Sequence, residues 1–117
     1  MNIEQTREYC LSLPGTTEDI KWETHLCFNI GGKMYLVTSP DESPVSASFK
    51  SSDEEFDELS NRGGMMPAPY MARNKWVKVE NIAKVPNTEW KRLLKQSYSL
   101  ILSKLPAKTR KEIESGK

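Results

Sequence analysis

From Pro86 onward the apolar side chains recur at a period that a helix buries along one side. Trp90, Leu93, Leu94, Ser97, Tyr98, Ile101, Leu102 and Leu105 fall on one stripe, with Lys91, Arg92 and Lys95 on the other side. Pro86-Asn87-Thr88 marks the start, and Pro106 either ends the helix or opens a short basic one around Lys108–Glu114. A helix with a single apolar stripe must lay it on another element. The chain therefore has to supply a matching apolar surface upstream.

Strand patterns supply it. Leu26, Phe28 and Ile30 alternate with Cys27 and Asn29, Gly31-Gly32 fits a two-residue hairpin turn, and Lys33–Thr38 returns. Val45, Ala47 and Phe49 alternate with serines, and Trp76 to Glu80 carries Val77 and Val79 on one face. Two further helices are expected. One covers residues 2–13, with Asn2 and Gln5 as caps and Pro14-Gly15 as the stop. The other is short and acidic, opened by Ser52-Asp53-Glu54-Glu55, anchored by Phe56 and Leu59, and ended at Gly63-Gly64. Residues 16–23 read as polar loop, and Met65–Asn74 as irregular, with room for an extra strand near Met65–Met71. The order α-β-β-β-α-β-α implies a single two-layer α+β domain over residues 1–117. Its antiparallel sheet is covered on one face by the N- and C-terminal helices.

A chain of 117 residues suffices for one such core without disulfides. Cys10 and Cys27 are read as reduced thiols. No apolar run approaches the roughly 18–20 residues of a membrane span, and Met1-Asn2-Ile3-Glu4-Gln5 does not open a signal peptide. The expected location is cytoplasmic, with no membrane association. Net charge is only +1, but residues 1–61 hold 4 Lys/Arg against 12 Asp/Glu, and residues 62–117 hold 13 against 4. Either the basic half presents one face, or the two halves interleave and their charges pair.

Several separated stretches, taken in order, resemble the MmcQ/YjbR family of small bacterial proteins. They are Leu13-Pro14-Gly15, Gly32-Lys33-Met34-Tyr35, Phe49-Lys50, Asn74-Lys75-Trp76-Val77 and Ser97-Tyr98. The likeness spans roughly residues 2–105. Many members place residues, often including His, between Asn-Lys and Trp, whereas here Lys75 abuts Trp76. The resemblance implies a frataxin-like CyaY architecture and DNA binding.

The residues themselves allow two functions. Arg73, Lys75 and Lys78 flank Tyr70 and Trp76, and Lys91, Arg92 and Lys95 line the last long helix. Such cations contact phosphates, and an exposed Trp76 or Tyr70 would stack on bases. This reading expects a non-enzymatic DNA binder with little sequence preference. The alternative is a protein- or small-ligand-binding module with an apolar cleft near Trp22, Tyr70 and the Met65, Met66 and Met71 loop. His25 and Cys27 share a strand face but lack the further ligands that zinc needs. The acidic run from Asp53 to Glu58 reads as helix capping and solubility. No metal, cofactor or catalytic residue is expected.

Overall fold

The computed structural model describes residues Met1 to Ser115. Six strands form one antiparallel sheet in the order β1-β2-β3-β4-β6-β5. They are β1 (Thr16–Lys21), β2 (His25–Ile30), β3 (Lys33–Ser39), β4 (Ser46–Lys50), β5 (Met65–Pro67) and β6 (Trp76–Val79). The helices are α1 (Ile3–Leu11), α2 (Asp53–Ser60), α3 (Asn87–Leu102) and α4 (Ala107–Glu114). The expected two-layer α+β class is the one observed.

Side-chain caps open α1 and α2, and prolines precede α3 and α4. Asn2 and Gln5 form a reciprocal capping box on α1. Ser52 accepts from the Glu55 amide at the start of α2. Along α3, Trp90, Leu93, Leu94, Ser97, Tyr98 and Ile101 are all buried, as the stripe predicts.

One expectation fails. Residues 16–21 are not loop but the edge strand β1, paired with β2 from Thr16↔Ile30 to Lys21↔His25. Thr-Thr-Glu-Asp-Ile-Lys has no apolar alternation, because an edge strand needs charge on its free side. Its register is set by β2, and its Glu18 is held by Arg7 of α1, whose Nε donates at 2.7 Å.

Directly paired residues share a sheet face. Phe28, Leu36, Phe49 and Val77 are linked by successive pairings, so they form one row under the helices. A bulge in β3 enriches that row. Phe28 pairs with Leu36 and Asn29 with Met34, which leaves Tyr35 as an extra residue. Tyr35 and Leu36 are both fully buried in the one core cluster. Tyr35 meets the ring of Tyr98 edge-on at 5.4 Å, and Phe49 meets Trp90 likewise at 5.8 Å.

Two polar side chains of α3, Ser97 and Tyr98, fix it in place. The Ser97 hydroxyl donates to the Tyr35 carbonyl at 2.6 Å and accepts from the Lys50 amide at 3.0 Å. By register, Tyr35 and Lys50 would be the next pair after Leu36↔Phe49. Ser97 therefore sits where the β3–β4 ladder stops. The Tyr98 hydroxyl donates to the Pro14 carbonyl at 2.6 Å, tying α3 to the turn after α1. Within that turn Gly15 has φ +79°, and a Cβ there would lie 2.9 Å from Ile30. Leu-Pro-Gly and Ser-Tyr are thus two halves of one structural joint.

On the outside, α2 and α3 are braced by charge. Arg62 donates to Glu89 at 2.9 Å and to Glu58. Arg92 bonds Glu89 at 3.1 Å and Glu55 at 3.3 Å. Hydrogen bonds from Arg92 and Arg62 lower the Glu89 carboxyl to about 2.

Two outcomes follow from this packing. Ser97→Ala orphans a buried carbonyl and a buried amide, and should cost about 1–3 kcal/mol for each group left unpaired. Urea unfolding measures it, with exposed Ser103→Ala expected within about 0.5 kcal/mol of the parent. The depressed Glu89 carboxyl contributes stability that is complete above its unfolded value near 4.5 and is lost as pH falls toward about 2. Melting temperature followed from pH 5 to pH 2 should therefore fall less steeply in Glu89→Gln.

Candidate nucleic-acid interface

The helices leave the other sheet face open. By register this face carries Cys27 and Asn29 of β2, Val37 of β3, Ser46, Ser48 and Lys50 of β4, and Lys78 and Trp76 of β6. Ser48 pairs with Lys78, and Lys50 with Trp76. The small serines form a low strip between taller neighbours.

Two loops stand at the margins of the strip. The β1–β2 hairpin presents Trp22, which is 66% exposed and meets His25 edge-on at 5.6 Å. The β5–β6 loop presents Tyr70, which is fully exposed. Trp22, Glu23, Tyr70 and Lys75 all have positive φ, between 51° and 67°. Such backbone favours Gly or Asn and is strained for bulky side chains. Among the described residues, every non-glycine position with positive φ lies in these two loops.

Between the loops lies a cleft of about 220 Å³. Trp22 and His25 line one side, Pro69 and Met71 the other, with Val37 and Lys78 between. The apolar cleft expected from sequence is thus present in part. Trp22 and Met71 meet there, and Tyr70 lies between two lining residues. Met66 pairs with Lys78 at the sheet edge. Met65 belongs elsewhere: it pairs with Val79 and packs against the core.

At the end of β4 the open face becomes cationic. Lys50 is only 8% exposed, and its ammonium donates to the Asn74 carbonyl at 2.6 Å. Burial, then the neighbouring Lys104 charge, holds this ammonium below the ordinary lysine value; Lys75 adds to the effect and Asp53 opposes it. Lys75 lies 5.1 Å over the Phe56 ring, which steadies its stem. Lys50, Lys75 and Lys104 thus share one end of the domain, and none is in an ion pair among the described residues.

The cations singled out from sequence do not form one face. Arg73, Lys75 and Lys78 lie on the open face or its β5–β6 loop. Lys91 and Lys95 lie on the solvent side of α3, across the sheet, and Lys91 sits 5.7 Å over Tyr9. Arg92 is taken up by Glu89 and Glu55, so it is a brace between helices rather than a free cation. Trp76 is 6% exposed and offers no stacking surface. The β5–β6 loop covers it, with the Ala68 amide donating to Trp76 and the Trp76 amide donating to Met71. Lys50 was not among the predicted contacts. Its signal was a lysine on a strand at the alternation reserved for Ser46 and Ser48.

Both cysteines are free and buried, with burial pushing Cys10 up to about 12 and Cys27 to about 11. Among the described residues no three His, Cys, Asp or Glu side chains converge as metal ligands. No described helix is long and apolar enough to cross a membrane.

A family model, YjbR, matches residues 11–100 of the chain. The structure is similar to the crystal structure of a Deinococcus radiodurans protein with a DUF419 domain, at 26% identity and a TM-score of 0.87. That match covers 97% of this chain and 88% of the other. A Pseudomonas syringae protein shares the fold at 23% identity and a TM-score of 0.71, over 86% of this chain and 98% of its own. A comparison with curated proteins gives no match.

Of the three tryptophans, Trp76 and Trp90 are buried and Trp22 is not. Acrylamide should therefore quench mainly Trp22, and Trp22→Phe should remove most of the quenchable emission.

Proposed function

We propose that this chain, which belongs to the YjbR family, is a non-enzymatic DNA-binding protein of the cytoplasm with little sequence preference. Arg73, Lys75 and Lys78 contact phosphates together with Lys104, the buried Lys50 adds its charge from beneath them, and Tyr70 stacks on exposed bases. The carrying observation is the cationic end of the open face. Three lysines crowd together there with Asp53 as their nearby carboxylate. Like charges held this close repel one another, and a bound phosphate relieves the repulsion. No recognition helix enters a groove in this arrangement, so backbone contacts dominate.

The cleft beside Trp22 favours a second reading, in which the open face takes a small planar ligand or a protein segment. Absence of DNA binding at low salt, where electrostatics are strongest, would favour it over the first.

Fluorescence anisotropy of labelled DNA across salt concentrations tests the DNA reading. Binding should weaken log-linearly with salt. Lys75→Ala combined with Lys104→Ala should make the slope shallower by about 0.9 per lost contact on duplex DNA. Lys91→Ala combined with Lys95→Ala, across the sheet, should leave the slope unchanged. A reversed pattern would move the interface to α3.

A further inference from the structure

We infer that the cleft between the β1–β2 and β5–β6 loops takes one unpaired base of a single strand, stacked against Trp22. The inference rests on the DNA reading above and narrows it to single-stranded DNA.

The shape of the cleft points to a flat heterocycle. Its volume of about 220 Å³ admits one ring system and its sugar, not a folded segment. Trp22 offers an aromatic face that is mostly exposed, and Val37, Pro69 and Met71 supply further apolar walls. The polar lining is sparse. Lys78 donates, serine hydroxyls donate or accept, and Glu42 accepts, already holding the Ser46 hydroxyl at 2.8 Å. Flat apolar walls with a few edge groups match a base whose faces stack and whose edge hydrogen-bonds.

The surroundings favour a strand over a free nucleoside. Ser46 and Ser48 line the cleft, and Lys50 ends the same strand on the same face. Four residues of β4 separate Ser46 from Lys50 by about 13 Å. The cationic end therefore lies within reach of phosphates neighbouring a base seated in the cleft. Lys78 lies between, and Tyr70, on the opposite loop from Trp22, is free to stack on an adjacent base. A paired base inside a duplex has no free face to offer, so the arrangement selects unpaired DNA.

The hairpin geometry supports the same assignment. Trp22 has φ 51° and Glu23 has φ 67° at a tip where Gly or Asn would cost less. An exposed tryptophan is held in this conformation with no core to reward it. Its ring meets the His25 ring edge-on, and both line the cleft.

The test uses the full chain with an oligothymidine of about eight nucleotides and a hairpin duplex carrying the same number of phosphates. Anisotropy and tryptophan emission are read together at fixed salt. The single strand should bind at least tenfold tighter than the duplex and should quench the exposed emission. Trp22→Ala should weaken single-strand binding about 5- to 100-fold while leaving the salt slope unchanged, and Trp22→Tyr should restore most of it. Equal affinity for both forms, with Trp22 emission unmoved and the salt slope intact, would overturn the base pocket and leave DNA binding standing. Binding of neither form at low salt would overturn both. Because Trp22 lies outside the core, its substitution leaves the fold to be judged by an unchanged melting temperature.

Discussion

The structure depends on a hydroxyl inserted where a β-ladder stops. Ser97 stands between Tyr35 and Lys50, accepting from one strand and donating to the other. A direct strand-to-strand pair at this point would continue the β3–β4 ladder and leave α3 without its hydrogen bonds to β3 and β4. With Ser97 between them, a helix residue becomes part of the sheet. The β3 bulge one position away then turns both Tyr35 and Leu36 into the core. Burying two polar backbone groups is tolerable only because one side chain satisfies both. The same contact fixes the backbone of Lys50, the residue that turns a neutral strand into the cationic end of the open face. Fold and candidate site therefore share a residue, Lys50.

Much of the fold was legible because burial leaves a periodic trace. The α3 stripe, the alternation around Gly31-Gly32, and the Asn2 and Ser52 caps each record a local rule. Gly31 shows how local chemistry and packing coincide. Its φ of +59° suits the turn, and a Cβ there would lie 2.5 Å from the Leu105 side chain, so the segment after α3 packs closely over the hairpin at this glycine. What was illegible is equally physical. β1 pairs at an edge and carries Thr, Glu, Asp and Lys, so its strand identity comes from β2 rather than from itself. The bulge at Tyr35 shifts register without changing composition, and alternation cannot reveal it.

The site was legible as residue types and illegible as an arrangement. Chain position placed Arg92 beside Lys91 and Lys95, but an ion pair is made across space. Glu55 lies on another helix, and its reach to Arg92 is a property of how α2 and α3 pack. Trp76 reads the same from sequence whether it caps a surface or fills a gap, and the β5–β6 loop decides in favour of the gap. The split of charge between the two halves of the chain is real but only partly expressed. Arg62 and Arg92 spend theirs on Glu58, Glu89 and Glu55 in bracing helices. The remaining cations are distributed over both sides of the sheet, and the open-face group is the one that meets exposed aromatics.

Strain and exposure together separate the open face from the rest of the surface. A positive φ at a bulky residue costs on the order of 1 kcal/mol or more and persists only where neighbouring structure enforces it. At Lys75 the enforcement is visible, since the Lys75 carbonyl accepts from both the amide and the hydroxyl of Ser51. At Trp22 and Tyr70 the strained residue is itself the most exposed aromatic of its loop. Neither ring contributes to the core, so folding alone gives no return for holding it there. The aromatics that build the core, such as Phe28, Tyr35, Phe49 and Trp90, lie within strands or a helix and none has positive φ. The backbone cost at Trp22 and Tyr70 falls instead on the two loops that border the cleft, where a partner supplied from solution would recover it.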